Sequence, residues 1–153
     1  MYSVQFSGVA VTAQQDFFEI AAPSDAVVLI HNLVLTQSTE VGDAQEEGLS
    51  ILFKRGATTT GSGGSTPTPV PLEFGSPAAG STCKVNNTTK ATSGTITTLH
   101  SENWYIRGPF PGLPTPEIRH VLSPSQRYTI ELATTPADSI TVSGTLYFEE
   151  IGG

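Results

Sequence analysis

The 153 residues carry seven Lys and Arg against fourteen Asp and Glu, giving a formal charge of −7 and leaving only 14% of positions charged. An acidic chain repels phosphate backbones and anionic lipid heads, so neither a nucleic-acid nor a membrane partner is expected. One domain, spanning residues 1–153, accounts for the length, and a chain of this size buries roughly two-thirds of its unfolded surface without needing a covalent staple.

The single cysteine, Cys83, cannot form an internal disulfide. It stands in the polar stretch Gly80–Asn87 with no motif around it, so it reads as an inert small residue. The scarce charge is replaced by Ser, Thr, Gly, Asn and Pro, a surface that neighbours can cover without stranding ions.

Taken in chain order, strand signals dominate. Met1-Tyr2-Ser3-Val4-Gln5-Phe6 has no basic run and no long apolar run, so it predicts neither a secretory signal nor a membrane helix. The sequons at Asn86 and Asn87 then read as chance. Tyr2 to Thr12 and Asp16 to Ile20 are the first strand candidates. Ala26 to Leu35 follows, apolar enough for a strand buried on both faces at the centre of a sandwich. Val41 to Glu47 can form at most a helical turn between Gly42 and Gly48. Leu49 to Lys54, Thr95 to Leu99 and Asn103 to Arg107 are further strands. Tyr128, Ile130 and Leu132 alternate with polar residues, as do Ile140, Val142, Gly144, Leu146 and Phe148, each pattern placing one face in a core. The short link Thr134-Thr135-Pro136-Ala137-Asp138 joins these last two runs as a hairpin. The reading is an all-β fold, one jelly-roll-like β-sandwich of about eight strands with long Pro/Gly-rich loops.

Two of those loops stand out, at 56–79 and 108–116. The first holds Gly61-Ser62-Gly63-Gly64 and then Pro67, Pro69, Pro71 and Pro77; the second reads Gly-Pro-Phe-Pro-Gly-Leu-Pro-Thr-Pro. Both exceed ordinary connections. Their proline spacing predicts extended arms that dock on neighbours at little entropic cost. Phe74, Phe110 and Leu113 are the candidate anchors, with Pro67, Pro69 and Trp104 as further interface candidates.

Catalytic constellations do not assemble from the sequence, and the expectation is a non-enzyme without cofactor or metal. His31, His100 and His120 lie in separate segments with no His-x-His pair, so a zinc site would need tertiary convergence. Glu40, Asp43, Glu46 and Glu47 lack the alternate spacing of a calcium loop and read as a solvated connection. No Gly-x-Ser-x-Gly elbow occurs. The glycine run at 61–64 has no lysine and leads into prolines, so it cannot cradle phosphate at a helix start.

The stretch Val28-Leu29-Ile30-His31 through Gln37-Ser38-Thr39-Glu40-Val41-Gly42-Asp43-Ala44-Gln45-Glu46-Glu47 to Phe53-Lys54-Arg55-Gly56 resembles small structural proteins of tailed bacteriophages and prophages. Gly61-Ser62-Gly63-Gly64-Ser65-Thr66-Pro67-Thr68-Pro69 and the closing Ser143-Gly144-Thr145-Leu146-Tyr147-Phe148-Glu149-Glu150 share the resemblance. Some such proteins decorate, or cement, the outside of the head. The resemblance implies a virion protein assembled in the host cytoplasm, partnered by the major capsid protein and by itself, with a trimer as the expected oligomer. A carbohydrate- or receptor-binding module of a fibre or tail is the alternative, and it requires Trp104 and Tyr105 to lie exposed side by side. A metal-dependent jelly-roll enzyme is a third, and it requires at least two of the three histidines to meet.

Overall fold

The computed structural model describes residues 1–39, 46–112 and 115–152. Eleven strands and one 3-10 turn make up its regular structure: β1 (Tyr2–Val11), β2 (Gln15–Ala21), β3 (Val27–Gln37), β4 (Gly48–Arg55), β5 (Val70–Pro71), β6 (Thr82–Asn87), β7 (Thr97–Tyr105), β8 (Phe110–Gly112), the turn at Pro116–Ile118, β9 (Val121–Leu122), β10 (Arg127–Leu132) and β11 (Ile140–Ile151). They form two antiparallel sheets packed as a sandwich. The first runs β5-β1-β11-β3-β8 with β9 also beside β3; the second runs β6-β2-β10-β4-β7.

The predicted alternation of β11 is realised residue by residue. Ile140, Val142, Gly144, Leu146 and Phe148 point into the core, while Thr141, Ser143, Thr145 and Tyr147 are only partly covered. Gly144 belongs to the inward set because the Phe6 ring fills its place: a Cβ there would stand 2.7 Å from that ring. Facing residues of the second sheet, including Phe18, Ile20, Ile51, Tyr128 and Ile130, complete one continuous core. Burying it at roughly 25 cal/mol per Å² is the main force holding the sheets together.

Four sequence expectations are corrected. The terminal hairpin does not exist: β10 pairs with β2 and β4 in one sheet, and β11 pairs with β1 and β3 in the other. Residues 133–139 arch across the core instead. Among the described residues no two consecutive strands are hydrogen-bonded neighbours. A short polar link spans the roughly 10 Å between sheets as readily as it turns within one.

Next, β3 is not buried on both faces; Val34 and Thr36 are exposed while Val28, Ile30, Leu33 and Leu35 are buried. The stretches read as two strands at 95–99 and 103–107 form the single strand β7, whose polar middle, His100-Ser101-Glu102, is an exposed edge rather than a break. Finally, β6 falls in the stretch taken as polar turn. It is an edge strand whose Asn86 and Asn87 are buried, so no apolar alternation announces it. The helical turn proposed at Val41 to Glu47 falls mostly outside the described residues, as do Glu40 and Asp43.

Candidate interaction surfaces

The first long loop is a flap rather than a free arm. Its opening half, residues 56–66, runs against residues 85–92 through reciprocal backbone hydrogen bonds at Thr59–Thr92, Ser62–Thr89 and Ser65–Val85, all between 2.8 and 3.0 Å. Together they cover the outer face of β2 and β10. The glycine run is thereby explained. A Cβ on Gly64 would lie 2.0 Å from the Val85 carbonyl oxygen, and one on Gly61 would lie 2.7 Å from that of Thr89. Backbone lies directly on backbone, which only glycine permits.

Beneath the flap, polar residues of β2 and β10 that look solvent-facing in the sequence are buried: Asp16, Glu19, Thr129 and Glu131. Each carboxylate is satisfied, as burial demands. Glu19 accepts from Thr60 Oγ1 at 2.7 Å, from the Gly61 amide at 2.9 Å and from Asn87 Nδ2 at 2.9 Å. Arg127 Nε lies 2.7 Å from Glu19 Oε1 but does not aim its hydrogen there, so that contact is an ion pair rather than a hydrogen bond. Glu131 pairs with Lys54 and, at 2.9 Å, with Lys90. Lys84 donates to the Gly61 carbonyl at 2.8 Å. Asp16 accepts the Ala91 amide at 2.7 Å. Burial still pushes its carboxyl up to about 7, assisted by the neighbouring charges of Glu131 and Glu19 and opposed by that amide and Lys90.

The second half of the loop is tied to the opposite sheet. Val70 and Pro71 pair with Ser3 and Tyr2, and the Leu72 amide donates to the Met1 carbonyl at 3.0 Å. Pro69 is buried and Pro67 half-buried, so both prolines seat the loop on its own domain rather than offering it to a neighbour. Beyond them a turn closed by Ser76 N to Glu73 O, at 3.2 Å, lifts Phe74 clear of the body, where it is fully exposed.

The other predicted anchors land elsewhere. Phe110 pairs with Leu35 in β8 and packs 6.1 Å from Phe53; at 2% exposure it is a core residue and cannot be an interface anchor. Leu113 lies outside the described residues. Trp104 is 1% exposed, with its indole Nε1 donating to the Gly108 carbonyl at 2.7 Å, whereas Tyr105 is 47% exposed. The paired aromatic platform needed for sugar stacking therefore does not form, because the alternation of β7 sends the two rings to opposite sides. Cys83 is buried, and desolvation pushes its thiol up to about 12, where no reactive thiolate exists at neutral pH.

The outer face of the first sheet is uncharged over its middle rows, which Pro67, Thr68, Val70 and Leu72 border on one side. Cross-strand register sets Ser3 against Tyr147, then Gln5, Thr145 and Val34 in one row. Ser143 and Thr36 stand opposite each other in the next, with Ser7 brought to Ser143 by a 3.4 Å hydroxyl contact. No Lys, Arg, Asp or Glu interrupts these rows. His31 stands towards one end, 3.0 Å from Glu149.

Where β3, β8 and β9 diverge from β4 and β7, the sandwich opens into a cleft of about 530 Å³. Its walls are Ile30, Leu33, Phe53, Leu99 and Ile118, and its polar groups are Asn32, His100, Glu102, His120 and Tyr128. Two of the three histidines thus share one cleft, on either side of Phe53 at ring separations of 5.5 and 5.7 Å. Among the described residues, no three metal-ligating side chains gather there or elsewhere. His120 Nδ1 lies 2.6 Å from the Tyr128 hydroxyl. Burial lowers the pKa of His120, with help from the charges of His100 and Arg55, and burial raises that of Tyr128. The phenol, the stronger acid of the two neutral groups, therefore donates to the ring. Among the described residues of the cleft, Asn32 Oδ1 is buried without a hydrogen-bond donor. Sequence reading missed Asn32 and the cleft alike, since its walls come from five separate strands.

Compared with family models, with curated proteins and with solved structures, the chain finds no match.

Proposed function

We propose that this chain is a structural protein of a tailed-phage virion, a decoration protein that lays the outer face of its first sheet on the head shell. The observation that carries the reading is the absence of charge from the middle rows of that face, with Glu149 standing at its end, in a chain of net charge −7. A surface of hydroxyls, amides and Val34 can be covered without desolvating an ion, a step that costs several kcal/mol per charge. Hydroxyls and amides also adapt to water-bridged contact. The resemblance of the 28–56, 61–69 and 143–150 stretches to phage structural proteins supplies the partner. Modest contacts of this kind become firm when repeated over a symmetric shell.

Co-sedimentation with shells assembled from the major capsid protein of the same genome tests the reading. Wild-type protein is expected to saturate a fixed number of sites per shell. Thr145→Lys, which sets one cation in the centre of the face, should weaken binding by roughly tenfold or more at unchanged fold. Wild-type protein that stays in the supernatant at micromolar concentration overturns the reading.

A further inference from the structure

Phe74 and the cleft lie on opposite edges of the sandwich. The Phe74 turn extends from β5, the first strand in the order β5-β1-β11-β3-β8, and the cleft opens beside β8 and β9 at the far end. Four strand spacings separate them, about 19 Å. A knob on one edge and a hole on the other cannot meet within one molecule. We propose that they meet between molecules: the Leu72–Gly75 turn of one copy inserts Phe74 into the cleft of the next, joining copies head to tail.

Two observations make a second copy the occupant. The cleft offers an apolar, aromatic lining built on Phe53, Leu99 and Ile118, and its volume exceeds what one aromatic side chain needs. Exposed rings seated in such holes are the usual anchors of protein interfaces. The charges match as well. Four of the seven cations, Lys54, Lys84, Lys90 and Arg127, are held at the flap. Of the three arginines left, Arg55 stands close enough to the cleft to act on His120. The knob carries Glu73 beside Phe74. Glu102, the cleft's own carboxylate, already faces His100 at 3.5 Å.

Such a contact is heterologous, so it builds a ring when the rotation between copies closes and a filament when it does not. It does not rest on the head-decoration reading, and it is measured without shells. Sedimentation velocity of the full chain should show species above the 16.1 kDa monomer, increasing with concentration. Phe74→Ser removes the knob at a fully exposed position and should leave monomer. Leu99→Trp fills the hole and should do the same, with Ile118→Arg as the replacement, at an exposed site, if that variant fails to fold. Mixing the two single variants is decisive. One intact knob and one intact hole remain, so the mixture should form a one-to-one dimer and nothing larger. A monomeric wild type, a Phe74→Ser protein that associates as the wild type does, or a mixture that stays monomeric would each overturn the proposal. Loss of shell binding by Phe74→Ser from a monomeric wild type would assign the knob to the shell instead.

Discussion

The two outer faces of this sandwich solve the same problem in opposite ways. Each strand of a two-layer β-fold has one side with no sheet to pack against. On the second sheet that side carries Asp16, Glu19, Lys54, Arg127 and Glu131, and the chain covers it with its own flap. On the first sheet its middle rows carry hydroxyls, amides and Val34, and the stretch that borders them, Pro67, Thr68, Val70 and Leu72, is uncharged too. Charge is thus buried where the chain itself supplies every partner, and kept to the end of the other face at Glu149. Breaking a buried pair is far costlier than never burying one, so the contrast separates an internal joint from a surface open to contact.

If that contrast holds, damage beneath the flap should be severe and damage on the open face should be mild. Glu19→Ala is the largest expected effect: it strands the Arg127 guanidinium, the Gly61 amide and Asn87 Nδ2. About 3–5 kcal/mol should be lost in chemical denaturation. Gly64→Ala comes next. Its Cβ collides with the Val85 carbonyl, so the flap must lift, at about 1–3 kcal/mol. Hydrogen exchange should accelerate at the Ser65, Val85 and Thr89 amides while the β11 amides stay protected.

Asp16 supplies a pH test of the same joint. Its pKa is raised from 3.8 to about 7 in the fold. Between those values the native state holds a proton that the unfolded chain has released. Its contribution to stability is therefore full below about pH 4 and is lost as pH rises through 7. His120, whose pKa is lowered, works in the other direction: its contribution is full above its unfolded value of 6.5 and is lost as pH falls through the lower folded one. Asp16→Asn keeps an oxygen for the Ala91 amide and removes the titration. The difference between variant and wild type should grow from pH 4 to pH 7, by at most about 1.4 kcal/mol per pH unit, with the variant the more stable at pH 8. A pH-independent difference would show that Asp16 ionises freely and that the flap does not exclude water. The smallest expected effect is on the open face: Thr145→Lys should change stability by no more than about 0.5 kcal/mol. A larger loss would mean that this face is part of the fold rather than a surface held for a partner.

Folding kinetics add a check on topology. Among the described residues no consecutive strands pair, so each pairing there closes a long loop, and folding should be as slow as the millisecond-to-second range of β-sandwiches or slower.

Much of this arrangement was legible from particular residues. Ile140 to Phe148 and Tyr128 to Leu132 announced their inward faces by alternation, and those faces are the core. The acidic, charge-poor composition pointed to an uncharged surface, and the middle rows of the first sheet display one. The glycines at 61, 63 and 64 and the prolines after them announced an unusual segment but not its direction. Read as an arm reaching outward, the segment is folded back, because Glu19 and Asn87, distant in sequence, hold it down. Phe74 kept the exposure expected of an anchor; Phe110 did not, since a strand of three residues gives no periodicity to read. Trp104 was invisible as a core residue because its neighbours on β7 are polar.

What the sequence by itself determined is the class of fold and the inward side of most strands. Side-chain alternation is a local property, written in neighbouring residues, and burial rewards it whichever strand lies alongside. Only the tertiary structure decided which strands pair, that Thr134 to Asp138 arches between sheets instead of turning within one, that two carboxylates of β2 are buried, and that a cleft opens beside His120. Each of those depends on which distant segment arrives opposite. A period-two pattern specifies a face, and leaves the identity of whatever meets it to the packing of the whole chain.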